Sequence, residues 1–140
     1  MTGRIHDDEP DTGPDVVRRL LHAELPEVAD LSLTALANSG SDNALYRLGP
    51  ELVVRLPRSS AASVSLGREV EWLPRLAGLA VSVPEVVHAG VAGEGYPYPW
   101  AVVRWIDGHD AWERRDREWF GASLGRDIAQ LVRELRARPV

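Results

Sequence analysis

Between Leu31 and Leu56 the chain holds three strand-like segments separated by turn residues alone, and this run constrains the fold more than any other feature. Leu31-Ser-Leu-Thr-Ala-Leu-Ala37 alternates with period two, the pattern of a half-buried strand. Asn38-Ser-Gly-Ser-Asp-Asn43 is a dense turn signal, after which Ala44-Leu-Tyr-Arg-Leu48 resumes strand character. Gly49-Pro50 turns the chain again. Glu51-Leu-Val-Val-Arg-Leu56 is the clearest strand, β-branched at its centre and stopped by Pro57. Strands joined this closely pair antiparallel.

Segments of helical period flank and interrupt them. Pro14 to about Leu25 carries Val17, Leu20, Leu21 and Leu25 on one face, with Thr12 or Gly13 to cap it and Pro26 to end it. Pro14 suits a first turn, where its missing N–H would be unpaired in any case. From about Ser60 to Leu79, Val64, Val70, Leu73, Leu76 and Ala77 suit a helix face that Pro74 should kink or shorten. Pro84 opens a strand over Glu85 to Ala89, Gly90 to Gly95 forms a loop, and Tyr98 to Ile106 is a further strand closed by Asp107-Gly108. A last helix, roughly Trp119 to Ala137, places Leu124, Ile128, Leu131, Val132 and Leu135 on one stripe. This order predicts an α+β fold: about five antiparallel strands, an inserted helix, and one helix at each end.

Composition removes several functions. The net charge is −5, and Glu113, Asp116, Glu118, Asp127 and Glu134 interleave with the arginines between Arg114 and Arg138. That is the pattern of a salt-bridged helix surface, so nucleic acid is not expected as a partner. No apolar run approaches the roughly 20 residues of a bilayer span, so no membrane partner is expected either. With no cysteine there is no disulfide, thiolate nucleophile or cysteine zinc site, which is compatible with the cytoplasm. Met1 to Asp11, rich in acids, is neither a secretory signal nor a transit peptide and reads as a solvated tail. There is no P-loop, Gly90-Val-Ala-Gly-Glu-Gly95 lacks dinucleotide spacing, and the four scattered histidines form no zinc motif. His109 beside Asp110 reads as a helix entrance.

Three segments remain as candidates for chemistry. The small, polar Asn38–Asn43 turn lets backbone N–H groups approach an anion, although a plain hairpin has the same composition. Arg55 lies among Val53, Val54 and Leu56, where a cation must reach solvent or meet an anion. Glu69, on the following helix, can pair with Arg55 if that helix packs on the sheet; otherwise both are separate surface residues. Trp100 to Gly108 ends an apolar strand in a flexible dipeptide, so its terminal backbone groups can serve a flat heterocycle or merely a turn.

Taken together, these segments resemble the aminoglycoside and macrolide phosphotransferase family, whose fold is related to the protein kinases. Leu52-Val-Val-Arg-Leu-Pro-Arg58 is similar to the family's third strand, and Arg55 matches its phosphate-contacting cation. Arg68-Glu69, Trp72-Leu73 and Val83-Pro84-Glu85-Val86-Val87 resemble its helix and fourth strand, with Glu69 as the partner acid. The resemblance implies a protein-kinase-like N-terminal lobe over residues 14–106. It also implies a polar tail over 1–13, and over 107–140 a hinge and the first helix of a truncated C-terminal lobe. It implies nucleotide binding by Ser39, Gly40, Ser41, Asp42, Asn43, Arg55, Glu69, and the backbone of Arg104 and Ile106. The nucleotide would be ATP or GTP with Mg2+, and the acceptor a hydroxyl of an aminoglycoside- or macrolide-like molecule bound mostly by the missing lobe.

The family's H-x-D-x-x-x-x-N loop needs an asparagine well beyond this turn, and the chain's asparagines are Asn38 and Asn43 alone. This chain by itself is therefore expected to be inactive, with no catalytic or metal-binding residue of its own. The competing expectation is a stand-alone, non-catalytic module that binds a nucleotide or a protein. An apolar face left uncovered would also favour self-association.

Overall fold

The computed structural model describes residues 9–37, 40–109 and 121–139. Gly13, in extended conformation, stands at the N-cap of α1 (Pro14–Glu24), and the Asp11 carboxylate accepts its N–H at 2.8 Å. The chain then forms β1 (Leu33–Ala35), β2 (Asn43–Leu48) and β3 (Leu52–Pro57), followed by α2 (Ser60–Trp72). A 3-10 turn over Leu73–Leu76 continues α2, as expected where Pro74 cannot supply an N–H. β4 (Val86–Gly90), β5 (Trp100–Arg104) and α3 (Ala122–Arg136) complete the order.

The strands form one antiparallel sheet in the order β1-β2-β3-β5-β4. α1 lies on one face, where Val16, Val17, Leu20 and Leu21 join Ala44, Tyr46, Leu48, Leu52, Val54, Leu56, Trp100 and Val102 in a single apolar cluster. Two phenols are anchored in it: Tyr46 donates to the carbonyl of Thr12 at 2.7 Å and Tyr96 to that of Pro57 at 2.6 Å. Burial, with Tyr98 nearby, pushes the Tyr96 phenol well above its ordinary range. Gly90 is required by close approach, since a Cβ there would fall 2.1 Å from the Trp100 ring. The Gly93–Tyr96 hairpin turn has positive φ at Glu94 and Gly95, the type I′ geometry that matches strand twist. The loop that lacks dinucleotide spacing is thus the tip of the β4–β5 hairpin.

Several boundaries differ from the sequence expectation, each for a local reason. β1 begins at Leu33 and not at Leu31, because Arg18 donates to the carbonyls of Ala29 and Leu31 in place of a neighbouring strand. β5 begins at Trp100 and not at Tyr98, since Pro97 and Pro99 cannot donate to a ladder. The buried stripe of α2 is Ala62 and Leu66, continued by Leu73, whereas Val64 is 56% exposed. The acidic N-terminal stretch is not wholly solvated: Glu9 and Thr12 are buried, and Glu9 pairs with a buried Arg58 at 3.1 Å.

Two compact units divide the chain, Met1–Arg75 with Pro84–Trp105, and Leu76–Val83 with Ile106–Val140. In the second unit Glu134 accepts the Ala80 N–H at 2.8 Å and a Gln130 N–H at 2.8 Å. These bonds, the backbone one first, hold its carboxyl below the usual range. On α3, Ile128, Val132 and Leu135 of the expected stripe are exposed, and Leu124 and Leu131 are half-buried. Asp110 and the residues from Glu113 to Trp119 lie outside the described residues.

Candidate functional site

β2 alternates strictly between half-buried and buried positions, because only its Ala44, Tyr46 and Leu48 side chains face the α1 core. Asn43, Leu45 and Arg47 therefore lie on the opposite, partly open face. Leu45 is the register partner of Arg55 in β3, which places both side by side there. α2 packs against β3 and β5 on that same face. Its N-cap is Ser59, whose Oγ accepts the Ala62 N–H at 3.2 Å. Glu69 falls one turn beyond buried Leu66, on the stripe turned to the sheet.

Arg55 and Glu69 meet in a two-toothed fork: Nη1 donates to Oε1 at 2.5 Å and Nη2 to Oε2 at 2.9 Å. The side chains are 18% and 36% exposed, so the pair is shielded from water without being sealed. A bidentate pair of this kind fixes the plane of the guanidinium and leaves its remaining N–H donors for a second anion. The second of the two alternatives, separate surface residues, is not what forms.

The turn between β1 and β2 is held at both ends. The Leu36 N–H donates to Leu45 O at 3.0 Å, and the Arg58 N–H to Asp42 O at 2.8 Å. Gly40, Ser41 and Asp42 are exposed, and Ser41 Oγ donates to Asp42 Oδ1 at 3.3 Å. Asn43 Oδ1 is buried with no hydrogen-bond partner among the described residues. Asn38 and Ser39 lie outside the described residues.

At the far end of the sheet, the Arg104 N–H donates to Glu85 O at 2.9 Å, and its Nε to Glu85 Oε2 at 3.2 Å. That amide is therefore committed to Glu85. Trp105 N–H donates to Glu51 O at 2.7 Å, and the Arg47 guanidinium lies over the Trp105 ring at 3.8 Å. Ile106 is exposed and belongs to the second unit. The first unit thus brings together Arg55, Glu69 and the Gly40–Asn43 turn, with Arg104 at the opposite end of β3. Sequence reading passed over Leu45, although its place in an alternating strand opposite Arg55 was an available signal. It also passed over Arg58 and Glu9. Among the described residues no group of three His, Cys, Asp or Glu side chains could hold a metal ion.

A five-stranded antiparallel sheet, an inserted helix, and an ion pair from helix to third strand define a protein-kinase-like N-terminal lobe. The model of the phosphotransferase enzyme family (APH) matches residues 33–139, and the chain belongs to that family. Among solved structures, it is similar to the GDP complex of wild-type aminoglycoside 2'-phosphotransferase-IIIa. That match has 23% identity over 88% of this chain and 42% of the other, with a TM-score of 0.76. The streptomycin–ATP–APH(2")-IIa ternary complex matches at 19% identity over 93% of this chain and 41% of the other, TM-score 0.65. ADP-bound aminoglycoside phosphotransferase APH(2'')-Ib matches at 20% identity over 91% and 40%, TM-score 0.62. The chain therefore spans about two fifths of the length of the structures it matches. No curated protein matches it significantly.

Proposed function

We propose that this chain is the nucleotide-binding N-terminal lobe of an ATP- or GTP-dependent phosphotransferase. The whole enzyme would phosphorylate a hydroxyl of an aminoglycoside- or macrolide-like acceptor. The observation that carries the reading is the Arg55–Glu69 fork beside Leu45 on the open face of the sheet. Phosphoryl transfer is catalysed mainly by positioning and by electrostatic stabilisation, and kinases orient their β3 cation with a helix acid in the same way. In this lobe Arg55 steadies the nucleotide phosphates, and Ser39 to Asn43 cover them. The strand end at Arg104, with Ile106 beyond it, offers backbone groups to the base. Mg2+ would supply charge neutralisation when it accompanies the nucleotide. The relatives named above were solved with GDP, ATP and ADP, which supports a nucleotide as the ligand.

Calorimetric titration of the chain with ADP and GDP tests this. Arg55→Ala removes the charged donor and should weaken binding at least about tenfold, the range of a charge-assisted hydrogen bond. Binding that is unaffected by Arg55→Ala would refute the assignment. The exposed apolar stripe of Ile128, Val132 and Leu135 favours a second reading, a non-catalytic module that self-associates or docks a protein. A monodisperse dimer in sedimentation supports that module.

A further inference from the structure

Glu9 and Arg58 are the two charged residues that the described chain buries, with side chains only 1% and 4% exposed. Arg58 Nη1 donates to Glu9 Oε1 at 3.1 Å, while Arg58 Nε is buried with no hydrogen-bond partner among the described residues. A guanidinium in such a place depends on its counter-charge, and without it the side chain must leave for water.

What makes this consequential is the position of Arg58 in the chain. It follows Pro57, the last residue of β3, and its N–H donates to Asp42 O one rung beyond the Asn43–Pro57 pairing. Ser59, the next residue, caps α2 and so sets the start of the helix that carries Glu69. Arg55 lies three residues upstream, within β3. The turn, the phosphate cation and the helix that orients it all join at residues 55–59.

We infer that Glu9 is a positioning residue for the phosphate end of the nucleotide. By holding Arg58 in the interior it fixes the stem of the turn and the start of α2. This rests on the nucleotide-binding reading above. The effect is local, because β3 runs from the Leu52–Arg104 pairing to the Asn43–Pro57 pairing. At the usual rise per residue those ends are about 17 Å apart, so the base end lies away from the disturbance.

The test uses the full chain and two probes, ADP and adenosine, which share a base but not the phosphates. Glu9→Gln removes the charge at nearly constant shape and should weaken ADP about tenfold, within the usual range of coupling between sites. Adenosine affinity should stay as it is. The Arg58 amide should also exchange with deuterium faster, with the Val54 amide in the core unchanged. Equal loss of ADP and adenosine, or no loss of either, overturns the inference. Should Glu9→Gln not fold, Glu9→Asp carries the test, since it keeps the charge but shortens its reach. A fall in ADP affinity alone supports the inference, and an equal or absent change overturns it. If the native chain binds neither probe, the nucleotide reading fails and the inference fails with it.

Discussion

Replacing Glu69 by glutamine separates what the ion pair does for stability from what it does for binding. The substitution removes a charge and one of two acceptors while keeping side-chain length, so one N–H···O contact of the fork can persist. The native contacts are 2.5 and 2.9 Å, which is good geometry, but the carboxylate is 36% exposed and water screens the pair. Exposed pairs contribute about 0.2–1 kcal/mol, and the bidentate geometry puts this one near the upper end, about 1 kcal/mol. In this chain of 140 residues that corresponds to a fall in Tm of about 3–4 °C. Nucleotide affinity should fall more steeply, about tenfold, because a guanidinium held by one tether no longer presents its free donors in a fixed plane. The exchanged variant, Arg55→Glu with Glu69→Arg, restores the pair but turns a carboxylate toward the phosphates. Its Tm should return to near the native value while binding is lost. Thermal melting and calorimetry on the three proteins decide the matter. An exchanged variant that binds ADP as tightly as the native chain would refute the reasoning.

Two further outcomes follow from the packing. Leu66→Ala, at a position only 3% exposed, should cost about 2–4 kcal/mol. Val64→Ala, at a site 56% exposed, should change stability by less than about 0.5 kcal/mol in the same urea titration. The Tyr96 phenol is raised in the folded state, chiefly by burial, so the native state keeps its proton where the unfolded state loses it. Stability should therefore be undiminished below about pH 10 and fall as pH rises above it, and Tyr96→Phe should flatten that alkaline decline.

The succession of elements along the chain and the antiparallel sheet were legible in the sequence because they rest on local signals. Alternation, glycine–proline turns and one β-branched run place β2 and β3 within a residue of where they lie. The Arg55–Glu69 pair stayed one of two open alternatives in the sequence, because a strand-to-helix step brings residues 14 apart into reach only when the helix packs on the sheet. The face of α2 was misread because apolar size favours Val64, while close packing against the sheet selects the small Ala62. The strand expected from Leu31 starts later, at Leu33, because a distant side chain, Arg18, serves the carbonyls of Ala29 and Leu31 ahead of it. Glu9 and Arg58 were invisible for a related reason: a pair 49 residues apart leaves no periodic trace, and an acid in a charged tail looks solvated until its partner is located. At the strand end, the family resemblance implies a backbone contact at Arg104, but the sequence could not show that Glu85 takes its amide.

The most direct test of the central claim is a nuclear magnetic resonance titration of the 15N-labelled chain with ADP and GDP. Ligand-dependent shifts should gather at Gly40 to Asn43, Leu45, Arg55 and Glu69, with a second group at the end of β5 near Arg104. Adenosine should reproduce only the second group. Shifts confined to α3, or none at saturating nucleotide, would contradict the assignment of this lobe as a nucleotide-binding module.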